Sequence, residues 1–191
     1  IQPGGAKFFV TGSKKESNFH VVDSEYRGLA ALDNVKAIVI AEGYATADTL
    51  SQALSCPVVA AFDSGNLLKV AQVLQNKYPQ KPIVIAGDDD LTQESINGKN
   101  PGKEKAMEAA QLVNGAVVLP IFAPGEQMSQ QLSDFNDLAN KSVLGIEGVK
   151  RQVGSVVEKA SQQAKQDSLL KLQAPIEPKQ QEIKQKRALI R

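Results

Sequence analysis

Two groups of acidic residues come directly after short apolar runs of the chain. They are Glu42, which follows the run at 36–41, and Asp88, Asp89 and Asp90, which follow the run at 82–86 and Gly87. Alternate residues of an extended segment point to the same side, so Asp88 and Asp90 share a side and Asp89 points away. We therefore predict that Glu42, Asp88 and Asp90 form a cluster of three carboxylates.

Three like charges in one cleft repel each other unless a divalent cation neutralises them. The chain has one cysteine and one histidine, so the metal ligands must be oxygen atoms, which suits Mg²⁺ or Mn²⁺. Mg²⁺ usually binds one or two carboxylates and shares its other positions with waters and phosphates. The acids therefore indicate chemistry on phosphates. The alternative is that the aspartates only form a turn or a helix cap.

The apolar runs that carry these acids have the pattern of buried strands. Four such runs, nearly continuous in apolar residues, lie at 36–41, 57–62, 82–86 and 116–121. The segments between them have helical patterns at 45–54, 66–78 and 101–113. This alternation predicts a doubly wound α/β fold with a mainly parallel four-stranded sheet and flanking helices. Ligands of such sheets bind at the carboxyl ends of the strands, and sharing one metal requires the first and third strands to be neighbours.

The two ends of the chain differ from this core. We expect residues 1–24 to form a β-hairpin packed on the domain, with Lys14 and Lys15 in its loop, and residues 25–144 to form the core. Residues 145–191 are predicted to be a helical extension with a tail rich in Gln and Lys. Because the chain begins at Ile1, we expect it to be part of a longer polypeptide.

Composition excludes several classes of protein. The net charge of +1 gives no global nucleic-acid signal, and no apolar run approaches the roughly 18 residues of a membrane span. With no signal sequence at its start, the chain is expected to be cytoplasmic. His20 has no second ligand nearby in the sequence and is interpreted as a packed or surface residue. No aromatic platform for base stacking is visible in the sequence.

The acid-bearing segments resemble a known family. IVIAEGYATADTL (38–50) and IVIAGDDD (83–90) resemble the two signature motifs of Toprim domains, a fold shared by DnaG-type primases, topoisomerases and OLD-type nucleases. The segments at 58–67, 100–110 and 134–139 are most similar to primases of conjugative plasmids and phages. The resemblance covers about residues 7–150, and it implies that Glu42, Asp88 and Asp90 bind a catalytic metal.

The resemblance also implies an activity. A domain of this kind would be a DNA primase-type nucleotidyltransferase, joining NTPs on a single-stranded DNA template with the help of further domains of the same polypeptide. Two other functions stay open at this point. One is metal-dependent strand cleavage of the nuclease or topoisomerase type, and the other is a non-catalytic scaffold in a relaxase or mobilisation protein.

A second pair of acids in the family is matched loosely by Asp134 and Asp137, which are predicted as further metal ligands. Asp134 is equally suited to be the N-cap of the helix that follows it. The sequence departs from DnaG-type primases at Thr46, where those proteins usually have another acid; the nearest acid here is Asp48.

Three residues are predicted to bind a nucleotide. Lys103 lies in the first turn of a helix that opens with Asn100-Pro101-Gly102, and backbone N–H groups at a helix N terminus attract phosphate. Asn100 itself is a candidate N-cap, and Gly43 follows the first acid. The alternative for Lys103 is an ordinary solvated lysine.

Overall fold

A computed structural model describes residues 12, 14–25 and 27–173 of the protein. Five strands form one sheet: β1 (His20–Val22), β2 (Ile38–Ala41), β3 (Val58–Ala60), β4 (Ile83–Ala86) and β5 (Ala116–Val118). Seven helices are described: α1 (Tyr44–Leu54), α2 (Ser64–Lys77), α3 (Leu91–Asn97), α4 (Pro101–Leu112), α5 (Glu126–Gln130), α6 (Phe135–Asn140) and α7 (Gly145–Gln173). A 3₁₀ helix, Gly28–Asn34, connects β1 to β2.

The order of the strands in the sheet is β1-β3-β2-β4-β5. Strands β2 to β5 are parallel, and β2 pairs with β4 so that Ala41 lies opposite Ala86. From β2 the chain proceeds first to β3 on one side and then to β4 on the other. The topological switch point therefore lies between β2 and β4. The predicted adjacency of the first and third parallel strands is confirmed.

The predicted sheet of four strands is extended by a fifth. Strand β1 pairs with β3 in antiparallel orientation, with His20 opposite Ala60 and Val22 opposite Val58. The second arm of the predicted hairpin thus joins the sheet through β3, while its first arm lies outside the described residues. The prediction of an antiparallel addition at the N-terminal end is confirmed for the described part, and the sheet has five strands because this edge is occupied.

Both faces of the central strands are buried, which explains their continuous apolar sequence. The four residues of β2 and the four of β4 are all buried. One face packs against α1, α6 and α7 through Val39, Ala41, Val84 and Ala86. The other face packs against α2 and α4 through Ile38, Ile40, Ile83 and Ile85. The doubly wound α/β prediction is therefore confirmed.

The long helix α7 has a packed and an exposed part. Val149 and Val153 are fully buried in the core against α1 and α6, whereas most side chains beyond Ser161 are exposed. This confirms the predicted C-terminal helix; the predicted Gln- and Lys-rich tail begins where the described residues end. Among the helices of the described residues, none is both long enough and apolar enough to span a membrane.

Candidate functional site at the switch point

The predicted acids lie at the carboxyl ends of the two strands that flank the switch point. Because Ala41 lies opposite Ala86, the loops that begin at Glu42 and Gly87 leave the sheet side by side. Helix α1 then packs on one face of the sheet and α4 on the other. A crevice between such loops is the usual ligand site of this class of sheet.

The acid loop after β4 lies in direct contact with α4. A Cβ atom built on Gly87 would stand 2.5 Å from the Cβ of Ala106, and one built on Gly102 would stand 3.0 Å from the Cβ of Asp88. Real Cβ atoms do not approach as closely as the first of these distances, so Gly87 is required for the packing of α4 against β4. The first turn of α4 thereby holds the backbone of Asp88 in place.

The side chain of Asn100 makes two hydrogen bonds to the acid loop, one to α3 and one within α4. Its Oδ1 accepts from the backbone N–H of Asp90 at 3.2 Å and of Lys103 at 3.3 Å. Its Nδ2 donates to Oδ1 of Asp89 at 2.8 Å and to Oε2 of Glu94 at 2.9 Å. The residue is only 2% exposed. Asn100 is therefore the N-cap of α4, as predicted, with its amide buried and hydrogen-bonded, and its contact with a nucleotide stays a prediction.

Asp89 fixes the loop from the opposite side. Gln127 Nε2 donates to the backbone carbonyl of Asp89 at 2.9 Å and to its Oδ2 at 3.3 Å, and the Asp89 N–H donates to the carbonyl of Ser133 at 2.7 Å. Asp89 thus serves the structure of the loop, whereas its neighbours Asp88 and Asp90 are the predicted ligands. The contribution of Gln127 has no local signal in the sequence, since it lies 38 positions from Asp89.

Asp134 lies against the beginning of α1, near the loop of Glu42. Thr46 Oγ1 donates to Oδ2 of Asp134 at 3.1 Å, and Oδ1 of Asp134 accepts from the N–H of Asp137 at 2.7 Å. Asp134 is thus the N-cap of α6, as predicted. Burial raises the pKa of Asp134, and the nearby Asp137 carboxylate raises it further. Thr46, the position where the sequence departs from DnaG-type primases, is thus linked directly to the second acid pair.

Asp137 already has partners for both carboxylate oxygens. Its Oδ2 accepts from the N–H of Ser133, the residue before the N-cap of α6, at 3.0 Å. Its Oδ1 lies 2.7 Å from Nζ of Lys141, and this ion pair raises the pKa of the lysine. These contacts give Asp137 a structural role, and its role as a metal ligand stays a prediction, since a bound metal would displace one of them.

The acids are of the chemical type that a hard divalent cation prefers, but they do not form a complete set of metal ligands. Within residues 12, 14–25 and 27–173, no three His, Cys, Asp or Glu side chains converge closely enough to hold one metal ion. Mg²⁺ does not need such convergence, because it usually binds one or two carboxylates and keeps several waters. Glu42, Asp88 and Asp90, partly buried at one edge of the sheet, therefore fit Mg²⁺ or Mn²⁺ by donor type, with one or two of them as direct ligands.

The remaining candidates lie around this edge. Lys103 is in the first turn of α4, half-exposed, with Nζ 4.0 Å from Oε2 of Glu94. Gly43 is the N-cap of α1, a helix that begins without a side-chain cap. Asp48 accepts a hydrogen bond from Gln52 at 2.9 Å and lines a separate groove between β1 and α1. Asp48 therefore does not take the place of the acid that Thr46 replaces.

Comparison with known proteins decides the family. The Toprim domain family matches residues 37–143, more than half of the chain. The chain belongs to the Toprim family. A DNA primase TraC from Escherichia coli is 38% identical over 222 residues, which cover 87% of this chain and 15% of that primase. A second DNA primase TraC from Escherichia coli is 39% identical over 244 residues, 98% of this chain and 23% of that primase. No solved structure matches the chain.

The match gives the Toprim domain a defined extent within the fold. It contains the strands from β2 to β5 together with all the predicted metal ligands, and it leaves out β1 and α7. The chain spans less than a quarter of the length of the curated relatives that it matches. The activity of those whole proteins is therefore only proposed for this chain.

The network around Asn100 predicts a large loss of stability on its removal. We expect Asn100→Ala to lower the free energy of unfolding by about 2 kcal/mol, because a helix cap is lost and buried groups lose their partner. Asn100→Asp keeps the cap but turns two donated hydrogen bonds into repulsion with Asp89 and Glu94, so it should destabilise as well. Urea unfolding measures both, with the exposed Asn76→Ala as control, expected within about 0.5 kcal/mol. A small effect of Asn100→Asp would show that only the cap matters.

The raised pKa of Asp134 predicts a pH-dependent effect of Asp134→Asn. Above the usual pKa of an aspartate, Asp134 is protonated more often in the folded protein than in the unfolded chain. Its contribution to the free energy of unfolding therefore becomes less favourable as the pH rises. Asparagine keeps the N-cap without the buried charge. In metal-free buffer, the melting temperature of Asp134→Asn relative to the wild type should therefore increase from about pH 4 to about pH 7. A difference that stays constant with pH would contradict this explanation.

Proposed function

We propose that this Toprim domain is the nucleotidyl-transfer domain of a DNA primase and synthesises primers on single-stranded DNA with Mg²⁺ or Mn²⁺. The observation that carries the proposal is the position of Glu42 and of the acids at 88–90. They follow two neighbouring parallel strands at the switch point of a Toprim fold. The relatives named DNA primase support the choice of reaction.

The residues that would hold the cation are Glu42, Asp88 and Asp90, with Asp134 as a further candidate beside α1. A cation bound there would neutralise charge on the phosphate oxygens of a nucleotide. The contribution of the chain itself is to keep the carboxylates in place. Asn100 and Gln127 hold the acid loop, so the loop does not have to become ordered when the substrate arrives.

Two helix N termini at this edge would assist in binding phosphate. Helix α1 begins after Gly43 and α4 begins after Asn100, and each helix N terminus has a partial positive charge of about half a unit. Lys103 adds a full charge in the first turn of α4. Its salt bridge with Glu94 is long, at 4.0 Å between Nζ and Oε2, and both side chains are partly exposed. If Lys103 left Glu94 to pair with a phosphate, the loss of this salt bridge would therefore cost little free energy.

The proposed substrates are NTPs and a single-stranded DNA template. Because the curated relatives are much longer, we propose that further domains of the same polypeptide supply part of the template contact. The proposed setting is the replication of DNA during plasmid conjugation, in the cytoplasm. A non-catalytic Toprim scaffold is the second candidate, and it is favoured by the lack of three converging acids among the described residues.

Metal binding is the first test of the site. In calorimetric titrations with Mn²⁺, we expect Asp88→Asn/Asp90→Asn to bind at least about tenfold more weakly than the wild type, because two oxygen ligands lose their charge. The fold should be as stable as before or more so, since like charges no longer repel. The control is Glu108→Gln/Asp167→Asn, which removes two exposed acids on α4 and α7 and changes the net charge equally. Equal weakening in both double variants would attribute the heats to net charge alone.

The reaction itself is tested with labelled NTPs and circular single-stranded DNA. We expect products longer than one nucleotide in the presence of Mg²⁺ or Mn²⁺, and a loss of about a hundredfold or more in Glu42→Gln, which removes one charged group from the site. The Glu108→Gln/Asp167→Asn variant should retain activity. Shortened DNA in place of new products would support strand cleavage, and the absence of both products with intact metal binding would support the scaffold.

A further inference from the structure

Two aromatic rings meet at the carboxyl edge of the sheet, where the sequence showed no such platform. His20 is the first residue of β1 and lies opposite Ala60 at the end of β3. Tyr44 is the first residue of α1. Their ring centroids are 5.7 Å apart, with 38° between the ring planes. Both side chains are exposed, Tyr44 to 50%, so this pair is not part of the core.

The pair lies on the same edge as the predicted metal ligands. Tyr44 is two residues from Glu42, and β3 lies between the strands that carry His20 and Glu42. The two rings also line a groove of about 470 Å³ between β1 and α1. Grooves of this size are typical of sites for small organic groups.

A third aromatic ring, Phe62, is exposed next to these strands in an unusual backbone conformation. Its φ angle is +69°, and the side chain is 36% exposed. The preceding N–H, of Ala61, donates to the carbonyl of Ala41 at 2.9 Å, which brings Phe62 beside the loop that begins at Glu42. A bulky residue in the left-handed region is rare, and such outliers concentrate at functional sites. Packing alone does not explain a strained, partly exposed phenylalanine at this position.

We propose that His20, Tyr44 and Phe62, here called the aromatic edge, form a stacking surface for an unpaired base of single-stranded DNA. Every base has a π-face, so exposed aromatic side chains can hold a single strand by stacking whatever its sequence. Charge contributes little, because Arg27, which lines the same groove, lies 3.1 Å from both Asp23 and Glu25, and Lys15 lies 2.8 Å from Asp63. The inference rests on the proposed function for the identity of the strand. Stacking itself needs neither metal nor catalysis.

Substitutions of Tyr44 separate stacking from other contributions. The probe is a fluorescently labelled oligothymidine of roughly 20 nucleotides, and its anisotropy is measured in EDTA with the whole chain. Tyr44→Ala should weaken binding by about 5- to 100-fold, and Tyr44→Leu should weaken it similarly because it restores bulk without a π-face. Tyr44→Phe should bind within about twofold of the wild type. The control is Leu112→Ala at the far end of α4, where the side chain is 49% exposed, and it should bind like the wild type.

An abasic oligonucleotide of the same length distinguishes base contacts from phosphate contacts. All Tyr44 variants should bind it with equal affinity, since it offers no base to stack. Phe62→Gly tests the third ring in a variant that tolerates the positive φ, and it should weaken binding of oligothymidine with an unchanged circular dichroism spectrum. Equal binding of oligothymidine by Tyr44→Ala and Tyr44→Phe would overturn the proposal. So would equal losses on the abasic strand, unchanged binding in Phe62→Gly, or no binding by the wild type.

These measurements also separate the aromatic edge from the proposed reaction. If Tyr44→Ala binds oligothymidine more weakly while the wild type makes no primers, the aromatic edge stands and the primase proposal fails. If primers are made and Tyr44→Ala binds the strand normally, the primase proposal stands and the aromatic edge is wrong.

Discussion

The parallel pairing of β2 with β4 determines where the acidic residues of this structure can lie. The chain leaves these two strands toward opposite faces of the sheet, with α1 on one face and α4 on the other, so a crevice forms between the loops at their carboxyl ends. Polar groups are stable there because they reach solvent on one side and backbone N–H groups on the other. The surrounding apolar layers are complete on both faces of the sheet, and this leaves the edge as the place where charge can concentrate.

The acidic side chains at this edge are held in position by neutral polar groups. Asp89 accepts hydrogen bonds from two amides, those of Asn100 and Gln127, and neither amide adds charge to the loop. A lysine in either position would neutralise the site and compete with a cation, whereas an amide satisfies the buried oxygens and leaves the field of the neighbouring carboxylates intact. The loop is thus both ordered and strongly negative.

Much of the fold follows from local patterns, because burial on both faces makes a parallel strand continuous in apolar residues and because Asn-Pro and Asp mark the starts of α4 and α6. The acids at the switch point were predicted for the same reason, since their distance from the strand ends is local. The contacts that complete the site are long-range. Gln127 reaches Asp89 across 38 positions, and His20 meets Tyr44 only because β1 adds to β3. Hydrophobic periodicity has no information about such pairs, so the sequence predicts only a packed or surface position for His20.

The contact between Gly102 and the backbone of Asp88 joins two parts of the site mechanically. A Cβ on this glycine would have only 3.0 Å to the Cβ of Asp88, so there is no slack between the first turn of α4 and the acid loop. Displacement of that turn toward the loop would therefore press on the backbone of Asp88. If a phosphate binds at the N terminus of α4, as proposed, its position and that of the Asp88 carboxylate are therefore coupled through Gly102.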